Sequence, residues 1–189
     1  MAIKLEKGQR INLEKGSGAK LTNFCVGCNW GAITKKAFFG LTTTTVDVDL
    51  DLSCLLFNEK GEVVDHIWSP LYNLGKIGLP KGKLDSNDRA LHHTGDDLTG
   101  DQDGDDGLDN EIITVDLARV SSNVNSIVFF LNIYNNNDYQ GDFSGIPYAS
   151  IRMYEGTPTK VNEVFAQYDV ATKTDCVGKR ALVMGKLYR

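Results

Sequence analysis

From Val46 to Cys54 the chain alternates without exception, with Val46, Val48, Leu50, Leu52 and Cys54 in one register and Asp47, Asp49, Asp51 and Ser53 in the other. A period of two belongs to a β-strand with one buried and one wet face. The turn signal "NEKGEV" around Gly61 follows, and "VVDHIW" supplies a second strand that closes a hairpin. "EIITVDL", "YASIRMY", "VFAQYDV" and "RALVMGKLY" are strand-like too, and "SIVFFLNIY" reads as the nearly continuous apolar run of a fully buried central strand. Only "VDLARVSSNVN" hints at a helical turn. Short strands separated by Gly, Asn and Asp clusters predict an all-β fold, a two-sheet β-sandwich with long acidic loops and at most short helical turns. Two stretches, "GAITKKAFFGLTTTT" and "SPLYNLGKIGLPKGKLDSNDRALHH", read as long loops of the kind that carry function or move.

One segment departs from this habit. "HTGDDLTGDQDGDDGLDNE", His93 to Glu111, holds eight carboxylates (Asp96, Asp97, Asp101, Asp103, Asp105, Asp106, Asp109, Glu111) and no Lys or Arg. An ordinary acidic run is a solvated face. This one is built from short Asp side chains punctuated by Gly95, Gly100, Gly104 and Gly107, so the backbone can wrap while carboxylates point inward. A hard cation is the natural centre, because Ca²⁺ takes 6–8 oxygen ligands in flexible geometry whereas Mg²⁺ demands a tighter octahedron. Eight formal charges exceed what one divalent ion neutralises, so one or two calcium ions are expected. Without metal the carboxylates raise one another's pKa, and a bound cation relieves that repulsion and stabilises the fold. An EF-hand fails on spacing: counting from Asp101, the required Gly falls on Asp106 and the terminal Glu on Ile112, and a strand pattern follows where a helix belongs. Asp47, Asp49 and Asp51 are either solvent-facing strand positions or further ligands from a neighbouring strand.

The charge balance singles out the same segment. The net charge is −5, but setting the eight acids aside leaves 17 acidic against 20 basic residues. No Lys/Arg run with interleaved aromatics occurs, which argues against a nucleic-acid partner. With 189 residues, 41% of them hydrophobic and 24% charged, the chain is expected to be one folded domain, residues 1–189. It shows no signal-peptide pattern and no apolar run of membrane-spanning length, so a cytoplasmic location is expected. Four cysteines (Cys25, Cys28, Cys54, Cys176) are too few for a disulfide scaffold and are expected to be free thiols.

"HTGDDLTGDQDGDD", taken with "DLDLS" at Asp49 to Ser53, resembles the signature of the TerD family of tellurium-resistance and stress-response proteins. "GQRINLEKG", "VGCNW" at Val26 to Trp30, "VDLARV…NVNSIVFFLNIY", "ASIRMY" and "ALVMGKLYR" agree in order over nearly the whole chain. The resemblance implies a β-sandwich that binds calcium through acidic loops and has no established enzymatic activity. Carried over by position, it implies metal ligation by Asp49, Asp51, Asp96, Asp97, Asp103, Asp105, Asp106 and Glu111, with Thr99 in the same motif. The chain departs from the family pattern at Asp97, where Asn is common, at Asp101-Gln102 in place of "EG", and at "GLDN", inserted before Glu111. Asn135 stands where relatives often carry Asp, as a weaker candidate. A Trp-containing strand common in the family has no counterpart after "LYR", so an open sheet edge is expected.

Other motifs weigh less. "CVGC" has half the spacing of a zinc site but no second half, and packing is its expected role. His92 and His93 beside Asp96 and Asp97 suggest a metal-dependent hydrolase, yet only His66 remains as a third histidine and no catalytic order presents itself, so His93 is expected to brace the loop. "GLPKGK" lacks the spacing of a phosphate-binding P-loop. The expected function is that of a Ca²⁺-dependent binding or scaffolding module in stress response, with protein partners in a stress-response complex and no enzymatic activity. The alternative is a C2-like membrane-surface adaptor with Phe38 and Phe39 as inserting residues.

Overall fold

The computed structural model describes residues 2–14, 18–37, 42–71, 78–134, 139–170 and 176–189. Among the described residues, twelve strands run in chain order: β1 (Ile3–Lys4), β2 (Asn23–Trp30), β3 (Ile33–Ala37), β4 (Thr42–Val46), β5 (Leu50–Phe57), β6 (Val63–Ile67), β7 (Leu91–His93), β8 (Glu111–Asp116), β9 (Ser126–Ile133), β10 (Ala149–Thr157), β11 (Lys160–Asp169) and β12 (Ala181–Tyr188). They form a six-stranded sheet in the order β1-β11-β10-β2-β8-β7, a four-stranded sheet in the order β12-β9-β5-β6, and the separate hairpin β3-β4. All pairings are antiparallel except β1 with β11. The fold is all-β and sandwich-like, as the sequence predicts, with a short 3-10 turn at Phe143–Gly145.

Alternation explains how the two larger sheets meet. Phe24, Val26, Cys28 and Trp30 of β2, Ile113 and Val115 of β8, Leu50, Leu52, Cys54 and Leu56 of β5, and Ile127, Phe129 and Leu131 of β9 share one apolar core. Burying a side chain of this size stabilises the fold by about 1.5–3 kcal/mol. Trp30 is fully enclosed, and its indole N–H donates to the Val48 carbonyl at 2.7 Å, so the bulkiest core residue is also hydrogen-bonded. The hairpin of β5 and β6 turns at Asn58 to Glu62, around the expected Gly61.

Several expectations need correction. Asp49 and Asp51 are not on a wet face: they are only 4% and 2% exposed. Within the stretch read as a loop, Ile33–Ala37 and Thr42–Val46 pair as antiparallel strands, and the threonines of the second strand are exposed and so show no apolar rhythm. β9 does lie inside its sheet, but Val128, Phe130 and Asn132 on its second face are only half-buried. Residues 117–119 form hydrogen-bonded turns, not a helix. β12 is an edge strand of the four-stranded sheet, where an open edge is expected. All four cysteines are free and buried. Among the described residues no helix is long and apolar enough to cross a membrane. Phe38, Phe39 and Asn135 lie outside the described residues.

Candidate metal centre

β2 is the floor on which the acidic loop rests. Its core-facing residues leave Cys25, Gly27 and Asn29 on the outer side, and the loop of residues 94–110, between β7 and β8, packs against them. Gly27 permits this approach, since a Cβ there would stand 2.0 Å from Asp109 Oδ2. Further along, the Asp101 N–H donates to the Trp30 carbonyl and the Ala32 N–H to the Asp101 carbonyl, each at 2.9 Å. Asn110 Oδ1 accepts from the Trp30 N–H at 2.9 Å. The loop is thus fastened by backbone and amide bonds before any carboxylate is considered.

One carboxylate group gathers where β5 meets this loop. Asp49, Asp51 and Asp96 each bring an oxygen to within 4.8 Å of the others. The Oδ1 atoms of all three are buried and have no hydrogen-bond partner among the described residues. Buried polar atoms are nearly always paired, so three orphaned acceptors converging from two chain segments form an all-oxygen donor set that fits a hard cation. Burial, followed by the charges of Asp96, Glu111 and Asp97, pushes the Asp49 carboxyl up to about 7. Burial, followed by the charges of Glu111, Asp49 and Asp96, pushes Asp51 up to about 10, against a hydrogen bond from Asn132 Nδ2 at 3.0 Å. Each shift is the cost of holding negative charge together out of water.

Glu111 and Asp97 shape this site through hydrogen bonds. The Glu111 carboxylate is 1% exposed and accepts the Leu52 N–H at 2.6 Å on Oε2 and the Asp97 N–H at 3.2 Å on Oε1. It therefore ties β5 to the loop. Burial raises its pKa against the neighbouring His93 imidazole, whose Nε2 lies 3.4 Å away. His93 Nε2 donates to the Leu52 carbonyl at 2.9 Å and Nδ1 accepts the Gly95 N–H at 3.0 Å, so the imidazole braces the loop as expected. Asp97 Oδ1 accepts from the Thr99 N–H, Thr99 Oγ1 and the Gly100 N–H at 3.0, 3.2 and 3.3 Å, an Asx turn that folds the chain back on itself.

A second carboxylate group lies further out along the loop. Asp101, Asp105 and Asp106 each bring an oxygen to within 4.8 Å of the others, and Asp105 and Asp106 are exposed. Asp101 accepts from Tyr148 Oη at 2.9 Å and from Asn110 Nδ2 at 3.1 Å, while Asp105 Oδ1 accepts from Asn29 Nδ2 at 2.9 Å and the Gly107 N–H at 2.7 Å. Burial and the adjacent Asp101 hold the Tyr148 phenol in its protonated, donating form. The loop here lines an open depression of about 460 Å³.

The inserted "GLDN" turns out to be an anchor. Asp109 has no exposed side-chain area and pairs with Arg152 of β10, whose Nε donates to both carboxylate oxygens at 2.9 and 3.0 Å. Arg152 Nη2 also donates to the Gly107 carbonyl at 2.7 Å. The insertion carries its own clamp onto the sheet, and Glu111 still reaches the inner carboxylate group behind it.

Of the eight residues named from sequence, Asp49, Asp51 and Asp96 form the inner group, and Asp105 and Asp106 belong to the outer one. Asp97 and Glu111 brace the inner group, and Asp103 belongs to neither. Sequence reading left out Asp101 as a ligand, along with Asn110, Tyr148 and Arg152. Asp101 was legible as the acid four and five residues ahead of Asp105 and Asp106, whereas the others come from contacts distant in sequence.

Comparison with known proteins gives this geometry a setting. The TerD domain matches residues 1–189. The chain is 34% identical to stress response protein SCP2 of Bacillus subtilis (strain 168), over all of this chain and 86% of that one. It is 30% identical to tellurium resistance protein TerD of Serratia marcescens, over all of this chain and 84% of that one. A crystal structure of a telluride resistance protein homologue from Streptomyces coelicolor A3(2) superposes with a TM-score of 0.57 over 89% of this chain and 82% of that one; at 14% identity it speaks for the fold alone. By the span of the domain match and the identity to its relatives, the chain belongs to the TerD family of tellurium-resistance and stress-response proteins.

Proposed function

We propose that this protein is a calcium-binding member of its stress-response family, acting in the cytoplasm as a Ca²⁺-dependent binding and scaffolding module for protein partners, without enzymatic activity of its own. The observation that carries this reading is the trio of orphaned, buried Oδ1 atoms on Asp49, Asp51 and Asp96. A bound calcium ion supplies positive charge where two chain segments present only negative charge. Asp49 and Asp51 contribute from the start of β5 and Asp96 from the loop, while Glu111 and Asp97 hold those segments together. The outer group, Asp101, Asp105 and Asp106, is the candidate for a second ion. Loading stiffens the loop of residues 94–110, and that loop is the surface a partner reads.

A hydrolase reading finds less support. His93 has both ring nitrogens engaged inside the fold, and His92 lies half-exposed against Asp85, so the two imidazoles do not converge. The membrane-adaptor alternative rests on Phe38 and Phe39, outside the described residues. Calorimetric titration of the metal-stripped protein with Ca²⁺, Mg²⁺ and Zn²⁺ tests the proposal. Calcium is expected to bind with a stoichiometry of one or two, and Asp49→Asn to remove the tighter event. Heat from Zn²⁺ with none from Ca²⁺ would mean that the site is not a calcium site.

A further inference from the structure

The outer face of the six-stranded sheet carries a second groove, of about 260 Å³, where β2, β8 and β7 lie side by side. Its floor is a lateral row of Cys25, Thr114 and His92, with Asn23 beside Asp116 in the next row. Two arginines, Arg89 and Arg119, stand over it from two turns. Neither guanidinium has a hydrogen-bond or ion-pair partner among the described residues.

The turns that present these arginines are built with care. Ser86 Oγ accepts the Ala90 and Leu91 N–H groups at 3.0 and 2.9 Å and donates to Asp88 Oδ1 at 2.6 Å. Asp88 Oδ2 then accepts the Ser121 N–H at 2.8 Å, and the Asp116 N–H donates to the Ala90 carbonyl at 2.8 Å. These two bonds lock the Arg89 turn to the Arg119 turn. Arg89 itself has φ of 56°, the only non-glycine residue in the left-handed region among the described residues. Arg89 is thus a long side chain held at a strained position with no partner among the described residues, and strain of this kind clusters at ligand-binding sites.

The acids nearby are each engaged within the fold and pair with neither arginine. Asp88 is occupied by the turn bonds above, Asp85 pairs with His92 at 2.9 Å, and Asp116, which lines the groove, accepts the Ala118 N–H at 3.0 Å. Two guanidinium forks and the Asn23 amide offer charged and neutral donors to a tetrahedral dianion. We propose that this groove binds the terminal phosphate dianion of a small phosphomonoester or of free orthophosphate. The site shares no residue with the carboxylate groups and does not depend on calcium.

The test uses the full chain, metal-stripped so that no phosphate can bind through calcium. Amide resonances are followed by NMR during titration with inorganic phosphate and, in parallel, ethyl phosphate, with chloride and sulfate controls at matched ionic strength. Saturable shifts confined to Asn23, Arg89, Thr114, Asp116 and Arg119 are expected, and the tighter of the two probes identifies the source. Arg119→Gln is expected to weaken binding by about tenfold or more. Arg89→Gly is expected to weaken it as much while raising the melting temperature, because glycine adopts this φ freely. The proposal is overturned by shifts that chloride or sulfate reproduce, by the absence of saturation with both probes, by shifts centred on the loop of residues 94–110, or by unchanged affinity in both variants. A fall in melting temperature in Arg89→Gly would make Arg89 structural and overturn it equally.

Discussion

Asp51 stands 2% exposed, with its carboxyl pushed up to about 10, so in the metal-free protein it keeps its proton at neutral pH. Asp51→Asn therefore exchanges one neutral side chain for another of the same shape. Melting of the chelated protein is expected to change by less than about 1 kcal/mol, while the calcium-induced rise in melting temperature disappears. Scanning calorimetry with chelator and with calcium reads both quantities. Asp49 sets a pH dependence, because its carboxyl is raised from 3.8 to about 7. A raised folded-state pKa means that the protonated form fits the fold, so its contribution is fully present below pH 3.8 and lost as pH rises through about 7. The chelated protein should lose melting temperature between pH 4 and pH 7, with Asp51 extending the loss to about 10. Calcium replaces the protons and should flatten that slope, and a chelated protein whose melting temperature stays level across the window would contradict the argument. The sequence showed these acids in alternation but not their burial, because the cover over Asp49 and Asp51 comes from a loop more than forty residues away.

At the scale of elements, the loop that overlies β2 is clamped to the neighbouring strand β10 by the Asp109–Arg152 pair. Breaking a buried ion pair from one side strands a charge in low dielectric, and such changes cost about 3–5 kcal/mol. Arg152→Met leaves Asp109 without its cation and frees the Gly107 carbonyl. Urea unfolding should show a loss of that order. Calcium binding by the outer group, Asp101, Asp105 and Asp106, should weaken more than binding by the inner one, which Glu111 holds from the other side. Equal weakening of both events would separate the clamp from the loop it is assigned to hold. Elements with a strong apolar rhythm, β5, β8 and β10, were legible from sequence. The β3-β4 hairpin was not, since a run of exposed threonines signals β propensity without a buried face. Arg152 was also illegible: its partner lies 43 residues away in an insertion that looked like a disruption.

Across the whole molecule, the two sheets are joined by one apolar core that includes none of the grouped carboxylates, while those carboxylates hold like charges together and so oppose folding. The family and the sandwich could be read from the sequence because strand periodicity and the acidic motif are both local signals. The division of the acids into an inner and an outer group could not, because it depends on where the loop crosses β2. That division predicts a fold stable in chelator yet measurably stabilised by calcium. A ligand present at 100 times its dissociation constant adds about 2.7 kcal/mol to the folded state. For a chain of this length each kcal/mol moves the melting temperature by roughly 2–4 °C, so calcium should raise it by roughly 5–11 °C over the chelated protein. Magnesium, which gives up water reluctantly and demands a tighter octahedron, should raise it less at the same concentration. A cooperative transition in chelator, shifted upward by calcium in this range, fits a preformed core with a cation-dependent loop. Loss of the transition in chelator would instead make the cation part of the core, and an equal response to magnesium would remove calcium's claim to the inner group.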